Sequence, residues 1–398
     1  MIKHVAILIP AFFGAFICQS QIKGSLWDVK EIYTAPMFTS EKDGDVIKMI
    51  YDGISYKGHT KKIFAYYSTP GILAGNREND KKLPAIILVH GGMGTAYRRW
   101  VTLWAERGYA AFAMDLRGHD PSGKQIENGF EETTRDMPVY KLYENLDEQF
   151  LYQAVADIIK AHNLIRNFKE VDISKTALCG VSWGAVISLI VSGLDDRFKA
   201  VVPIYGCGFF PTSPLQSLQG LSETEKQVWI KQYDPKQYVG KAKMPVLFVN
   251  GTNDNNFYLD SYAKTYQLAK NKNLSVQIGM RHSHEDAFKL REPYCFVDSY
   301  LKGDKPLPLI GLPSVKNRRT ISRVKNGELV KNAYLNYTTD TTSNLMKREW
   351  KQAQAQVKRK KIVTPPVPGN ATMWFVSCTD ERNLITTGDI QFTNNKMF

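Results

Sequence analysis

The chain has 398 residues, a formal net charge of +13 at pH 7 and 43% hydrophobic residues, and it is long for one domain. The cysteines after residue 20 are widely and irregularly spaced without a Cys-x-x-Cys pair, which argues against a zinc site. Lys and Arg are spread along the chain rather than gathered in one stripe, which argues against a nucleic-acid-binding protein.

The first twenty residues have the pattern of a signal peptide. A charged start is followed by the apolar stretch Val5–Ile17, which is too short to span a bilayer, and then by small residues near Ser20. We predict cleavage near Ser20 and export to the periplasm or the exterior. A lipoprotein acylated at Cys18 is the alternative, although Ile17 is a poor residue before such a cut. No later stretch suits a membrane helix, so the mature chain is expected to be soluble.

Strand-like and helix-like segments alternate between residues 46 and 303, which predicts an α/β domain with a mostly parallel sheet. The predicted elements, in chain order, are paired strands at 46–51 and 62–67 around a turn at Asp52-Gly53, a strand at 84–90, a helix at 100–107, a strand at 109–115, a helix at 146–167, a strand leading to Ser182, strands at 200–205 and 245–250, a helix at 261–270, a strand at 275–280 and a final helix ending at Leu301.

Helical periodicity disappears after Pro308, and short β-type runs broken by polar turns predict a small β-sandwich. The expected organisation is a signal peptide at 1–20, a catalytic domain at 21–306 and an accessory domain at 307–398. The basic run Lys358-Arg-Lys-Lys361 is interpreted as a solvated strand edge. The alternative is that the net positive charge of the chain attracts it to acidic glycans or to membrane surfaces.

A short apolar strand pattern turns sharply into an apolar helix pattern at Gly180-Val-Ser-Trp-Gly184. Gly-x-Ser-x-Gly at such a junction is typical of a nucleophile elbow, in which glycines let backbone segments approach closely. Ser182 would then stand at the helix N-terminus, and the amide of Trp183 would face the same spot. The other interpretation is a strand-to-helix connection between two glycines, in which the serine hydroxyl makes a structural hydrogen bond and has no catalytic role.

A nucleophilic serine needs a histidine base and a carboxylate that orients the histidine. Of seven histidines, only His282 and His284 follow Ser182, and both fall in the loop after the last strand. Asp254 lies between, just after a buried strand, so the order is that of a Ser-Asp-His hydrolase triad. His282 is favoured as the base because it comes sooner after the strand, and His284 is the alternative. The alternative for Asp254 is a turn residue without a catalytic role.

Donors for a developing oxyanion are the amide of Trp183 and one from the loop His90-Gly-Gly-Met-Gly, at Gly92 or Met93. This loop lacks the spacing and the Gly-Lys-Ser/Thr ending of a phosphate-binding loop, so a nucleotide site is not expected. The chemistry requires no metal and no organic cofactor.

These motifs resemble the α/β-hydrolases, and among them the dienelactone-hydrolase and acetylxylan-esterase-like bacterial proteins. The resemblance is carried by 90–96, 107–115, Gly180–Gly184, 250–254 and 280–284, and it covers about residues 45–301. It implies an α/β-hydrolase fold with a mostly parallel eight-stranded sheet, helices on both faces and a Ser/Asp/His site at the carboxyl edge. Ala185, Arg281 and Glu285 depart from the pattern of the subgroup and leave the acyl preference open.

The sequence therefore predicts an exported serine carboxylesterase that cleaves acyl esters, above all acetyl esters on polysaccharides, through an acyl-enzyme. One alternative is a secreted serine peptidase of the prolyl-oligopeptidase type, which usually carries a propeller that this chain has no room for before His90. The other is an inactive carbohydrate-binding protein on the same fold. No nucleic-acid partner is expected.

Overall fold

The computed structural model describes residues 26–27, 29–131, 139–210, 218, 220–342 and 344–393. The predicted signal peptide at 1–20 lies outside the described residues. Contacts group the chain into two compact units, one ending at Ile173 and the other beginning at Ser174. None of the described helices is long and apolar enough to cross a membrane.

The helices are α1 (Pro70–Leu73), α2 (Arg98–Ala105), α3 (Phe150–Arg166), α4 (Trp183–Ser192), α5 (Glu223–Tyr233), α6 (Leu259–Leu268), α7 (His284–Lys289) and α8 (Glu292–Leu301). The strands are β1 (Phe38–Asp43), β2 (Val46–Tyr56), β3 (His59–Ser68), β4 (Leu83–Val89), β5 (Ala110–Met114), β6 (Val171–Val181), β7 (Ala200–Ile204), β8 (Val246–Gly251), β9 (Lys272–Gln277), β10 (Leu309–Ile310), β11 (Ser314–Lys316), β12 (Arg319–Lys325), β13 (Val330–Thr338), β14 (Lys351–Lys358), β15 (Lys361–Val363), β16 (Met373–Asp380), β17 (Ile385–Thr387) and β18 (Gln391–Phe392).

In the first unit, β1, β2, β3 and β5 pair antiparallel, and β4 pairs parallel with β5. Helix α3 is buried along almost its whole length, and a buried ion pair joins it to β3. Lys61 Nζ lies 2.7 Å from Asp157 Oδ1, and Tyr51 Oη donates to the Asp157 carbonyl at 3.1 Å. Removing one partner of such a pair leaves a buried charge and costs about 3–5 kcal/mol.

The predicted turn at Asp52-Gly53 is wrong, although the two strands do pair. Both residues lie inside β2, where the register shifts between Asp52 and Ser55. The chain turns instead at Lys57 and Gly58, whose φ values are 47° and 78°. Two consecutive residues with positive φ suit the right-handed twist of a β-hairpin. A glycine inside a strand often marks a bulge or bend in that strand, and Gly53 lies at such an irregularity in β2.

In the second unit, β6, β7, β8 and β9 form a parallel sheet in that order. Their strands are buried along most of their length, as expected of a sheet covered on both sides. The alternation of strands and helices agrees with the predicted α/β class. The predicted final helix is two helices, α7 and α8, separated at Leu290 and Arg291, with Pro293 in the first turn of α8.

The second unit also contains the strands after Leu301. β9 pairs antiparallel with β17, and the order continues through β16 and β13 to β14. The end of β14 then pairs with β15, which pairs with β12. Buried Val324, Ala333, Ile362 and Val376 share one apolar cluster. The accessory domain at 307–398 stays a prediction, because its strands belong to the same compact unit as β9.

Cys179 lies in β6 and Cys207 lies three residues after the end of β7, and both are buried free thiols. Buried free thiols are the ordinary expectation for cysteines in such positions, whereas a disulfide is the alternative in an exported protein, and no disulfide joins these two described residues.

Candidate active site

Three polar residues follow three strands of the parallel sheet in the second unit. Ser182 follows β6, Asp254 comes three residues after β8, and His282 comes five residues after β9. The carboxyl ends of parallel strands lie along one edge of a sheet, where α/β folds place their sites. Residues that are 72 and 28 positions apart in the sequence therefore converge at this edge.

Ser182 occupies a sharp junction between β6 and α4. It is the N-cap residue of α4 with φ 58° and ψ −122°, a conformation that costs a non-glycine residue about 1–3 kcal/mol. Its amide donates to Ile204 O at 2.8 Å. A Cβ on Gly180 would lie 2.2 Å from Gly184 O, so the turn requires a glycine there. This geometry is that of the predicted nucleophile elbow.

His282 lies between the serine and the aspartate. Its Nε2 is 2.8 Å from Ser182 Oγ, and its Nδ1 is 2.9 Å from Asp254 Oδ2. The side chain of His282 is 15% exposed, while that of Asp254 is fully buried. A carboxylate on Nδ1 favours the tautomer with the proton on Nδ1, which leaves Nε2 as an acceptor that faces the serine hydroxyl.

Asp254 is fixed by its own turn. Its Oδ1 accepts the backbone N–H groups of Asn256 at 2.6 Å and Phe257 at 3.0 Å, so Oδ2 is left to face His282. The polar tract around Asp254 thus forms a turn, as its composition indicates. The turn interpretation and the functional interpretation of this aspartate are compatible, because each uses a different carboxylate oxygen.

The loops that carry Asp254 and His282 are bonded to each other. Asn253 N donates to Met280 O at 3.2 Å, and Thr252 N donates to Gln277 O at 3.0 Å. A Cβ on Gly251 would lie 2.0 Å from Met280 O, which only glycine permits. These contacts set the distance between the carboxylate and the imidazole through the backbone.

Asn253 also attaches this loop to the connection between β13 and β14. Its Nδ2 donates to Leu345 O and Arg348 O, both at 2.9 Å. No sequence pattern indicated this support, since the partners lie more than 90 residues later. The connection between β13 and β14 therefore contributes to the position of Asp254 through backbone acceptors.

Aromatic rings enclose the imidazole. The ring centroids of Tyr205 and Phe257 lie 4.8 Å and 5.8 Å from that of His282. Burial, assisted by the charge of Asp254, raises the pKa of Tyr205 above its usual value, so its hydroxyl stays neutral. The ring of Trp183, half-buried, stacks on Phe210 at 5.7 Å. Sequence reasoning missed Tyr205, Phe257 and Phe210, since a buried aromatic is most often plain core.

The remaining predicted site residues have other positions. His284 is the first residue of α7, and its ring lies 6.5 Å from that of Phe288. Trp183 is the first residue of α4, among the four positions whose N–H groups lack an intrahelical acceptor. Gly92 lies in the loop after β4, in the first unit, where Met93 has a φ of 59°. The oxyanion roles of Gly92 and Trp183 stay predictions.

The family model described as acetyl xylan esterase (AXE1) matches residues 24–238, more than half of the chain, and the match includes Ser182. The chain belongs to the acetyl xylan esterase family. Membership makes the protein a serine carboxylic ester hydrolase, as predicted. The match ends before Asp254 and His282, so the case for these two residues depends on the distances above.

Solved structures of two acetyl xylan esterases are similar to this chain. That of acetyl xylan esterase 1 from Thermoanaerobacterium sp. JW/SL YS485 has 19% identity and a TM-score of 0.53, over 67% of this chain and 88% of the other. That of an acetyl xylan esterase from Paenibacillus sp. R4 has 20% identity and a TM-score of 0.51, over 67% and 89%. These similarities confirm the predicted α/β-hydrolase fold.

Proposed function

We propose that this protein is an exported acetyl esterase that removes acetyl groups from polysaccharides, with Ser182 as nucleophile, His282 as general base and acid, and Asp254 as the group that orients the histidine. The observation that carries the proposal is the position of the His282 ring, 2.8 Å from Ser182 Oγ and 2.9 Å from Asp254 Oδ2. Family membership supports the ester chemistry, and the names of the similar structures support the acetylated polysaccharide.

In the acylation step, His282 Nε2 takes the proton of the Ser182 hydroxyl as Oγ attacks the carbonyl carbon of the acetyl ester. A tetrahedral intermediate forms with its negative charge on the former carbonyl oxygen. The intermediate collapses when the C–O bond to the sugar breaks and Nε2–H gives its proton to the leaving sugar oxygen. The products of this step are a free sugar hydroxyl and an acetyl group on Ser182.

In the deacylation step, a water molecule gives a proton to Nε2 and adds to the acetyl carbon. The second tetrahedral intermediate breaks at the bond to Oγ, and Ser182 takes the proton back from the imidazolium. Acetate leaves and the serine is regenerated. Asp254 stays ionised throughout and stabilises the imidazolium that forms in each half-reaction.

The oxyanion needs donors where its charge develops. The amide of Trp183 is one candidate, supported by its place at the start of α4, where the helix dipole favours negative charge. The amide of Gly92 is the second candidate, supported by the glycine-rich sequence of its loop. Because both candidate donors are backbone amides, the side chains on which the reaction depends are those of Ser182, His282 and Asp254.

Acetate release from a panel of acetylated polysaccharides tests the proposal. The wild type should release acetate from at least one of them, and Ser182→Ala and His282→Ala should each lower the rate at least about a thousandfold. The matched control is His284→Ala, which should stay within about tenfold of the wild type because its ring packs on Phe288.

Two results would contradict the proposal. One is faster cleavage of proline-nitroanilide peptides than of acetyl esters, which would indicate a peptidase. The other is full activity of His282→Ala with loss of activity in His284→Ala. In the same preparation, purified from the exported fraction, an N-terminus near residue 21 would support export, and an intact Met1 would oppose it.

A further inference from the structure

Lys and Arg occur along the whole sequence, but acids accompany most of them before Leu301, so most of the net positive charge lies in the segment after Leu301. Residues 314–363 contain thirteen Lys and Arg but only three Asp and Glu, so this segment carries a net charge of +10 out of the +13 of the whole chain. Six of these cations lie on the solvent side of the sheet formed by β11, β12, β15 and the end of β14. We call this surface the cationic face, and its cations are Lys316, Arg319, Arg323, Lys325, Lys358 and Lys361.

The strand register places these cations side by side. Along β12, buried and exposed residues alternate, so Arg319, Arg323 and Lys325 share the outer side. Directly paired residues of antiparallel strands project to the same side of a sheet. Arg319 is paired with Lys316, Arg323 is paired with Lys361, and Lys361 is also paired with Lys358.

Like charges at directly paired positions destabilise an antiparallel sheet, so this arrangement has a cost in the free protein. Strands are about 4.8 Å apart, well within the screening length of about 8 Å at physiological ionic strength. The fields of the three cations in the row Lys358, Lys361 and Arg323 therefore add. A bound polyanion would remove the repulsion.

Neighbouring acids do not neutralise the face. Within the described part of the chain, none of the six cations has a carboxylate within ion-pair distance, and Glu328 pairs with Lys360 at the turn between β14 and β15 instead. Protection of exposed sheet edges explains many surface lysines. It does not explain Arg323 and Lys361, because β12 and β15 each have a partner strand on both sides.

We propose that the cationic face binds a polysaccharide that carries carboxylates, that is, one whose sugars include uronic acids. The choice of a polysaccharide rests on the proposed function, since the enzyme would then hold a charged chain near the ester groups that it cleaves. The other side chains on this side of the sheet are Ser314, Ile321, Gln356 and Val363.

The same side chains argue against other polyanions. The face has no aromatic ring on which a base could stack, as sites for single-stranded nucleic acids usually have. It also lacks the Trp and Tyr residues that anchor proteins in a membrane interface. A flat arrangement of long cationic side chains with a few small or aliphatic neighbours suits hydrated carboxylates on an extended sugar chain.

Binding of glucuronoxylan to the full-length protein tests this proposal. The protein carries Ser182→Ala so that the ligand is not altered during titration calorimetry. The face variant Arg323→Gln/Lys358→Gln/Lys361→Gln is compared with a control, Lys81→Gln/Lys175→Gln/Lys231→Gln, which removes the same charge from exposed lysines elsewhere. Glucuronoxylan whose carboxyl groups have been reduced to alcohols is the matched ligand.

The face variant should bind glucuronoxylan at least about tenfold more weakly than the parent, while the control changes by less than about twofold. The parent should bind the carboxyl-reduced polymer as weakly as the face variant binds the charged one. Added NaCl should weaken binding in the parent more than in the face variant.

Equal binding of the two polymers, or an equal loss in both triple variants, would overturn the proposal. So would tighter binding to a deoxythymidine oligonucleotide or to phosphatidylserine vesicles than to glucuronoxylan. With Ser182 restored, the face variant should hydrolyse nitrophenyl acetate at the wild-type rate, which separates lost binding from lost folding. Failure of the wild type to hydrolyse any acetyl ester would count against the proposed function and not against the face.

Discussion

The Ser182 site and the cationic face belong to the same compact unit, but they use polar side chains in opposite ways. At the site, a buried serine and a buried aspartate bond to a nearly buried imidazole at 2.8 Å and 2.9 Å. On the face, six long side chains are exposed and, among the described residues, lack acidic partners. One region depends on distances between particular atoms and the other on a sum of charges.

This difference determines how each region responds to substitution. Where water is excluded, a hydrogen bond is directional, and loss of one partner leaves the others unsatisfied. Charges in water act through a screened field, and each adds a small amount. A single substitution should therefore abolish the function of the site and only weaken that of the face.

The largest effect is expected from Asp254→Asn. An amide that faces Nδ1 no longer favours the tautomer in which Nε2 accepts the serine proton, so kcat for an acetyl ester should fall about 10³- to 10⁴-fold. KM should change little, because Asp254 faces the histidine and not the substrate. Steady-state kinetics with nitrophenyl acetate measure both. A loss below tenfold would mean that the bond to Asp254 does not orient His282.

An intermediate effect, on stability, is expected from Asp234→Asn, the same change at a buried carboxylate without a histidine partner. Asp234 Oδ1 accepts the N–H groups of Phe209 and Lys236, both at 2.9 Å. Burial raises the pKa of Asp234 from 3.8 to about 6. The native state thus binds this proton more tightly than the unfolded chain, and the contribution of Asp234 to the free energy of unfolding falls as the pH rises from about 4 to 6.

Asparagine cannot ionise, so the stability of Asp234→Asn relative to the wild type should rise by about 2 kcal/mol between pH 4 and pH 7. Urea unfolding at several pH values measures this difference. Activity should be close to that of the wild type, in contrast with Asp254→Asn. A difference in stability that is constant with pH would show that Asp234 is not the group that titrates.

The smallest effect is expected from a single change on the cationic face. Arg323→Gln should lower the affinity for glucuronoxylan only about two- to threefold, because one exposed cation contributes less than about 1 kcal/mol. Calorimetry under the conditions used for the triple variant measures it. If this one substitution abolished binding, the face would act through a directional contact like those of the Ser182 site, and the comparison would fail.

Local signals led to most of the site. The elbow was predictable because its requirements lie within five residues, and Asp254 was predictable because it follows a buried strand in the expected order. The choice between His282 and His284 was not. Ser283 Oγ accepts the N–H of Asp286 at 3.2 Å, which makes Ser283 the N-cap of α7. His284 therefore enters a helix, and His282 stays on the loop.

Contacts between distant segments could not be predicted. Tyr205 and Phe257 meet the imidazole only after the strands have paired, and Asn253 reaches Leu345 and Arg348 only after the last strands have packed. The turn at Asp52-Gly53 was wrong for a related reason. A glycine in a polar pair suggests a turn, whereas the register of the whole hairpin decides where the chain reverses.

The sequence by itself determined the α/β alternation, the elbow at Ser182 and the chain order of the three site residues, because each is a pattern of residues close together or of simple succession. Only the tertiary structure decided which histidine lies beside the serine. It alone also placed the cations of the segment after Leu301 side by side on one face, since positions as far apart as Lys316 and Lys361 become neighbours only through strand pairing. Register is set by non-local hydrogen bonds and burial, and these do not exist until the chain has folded.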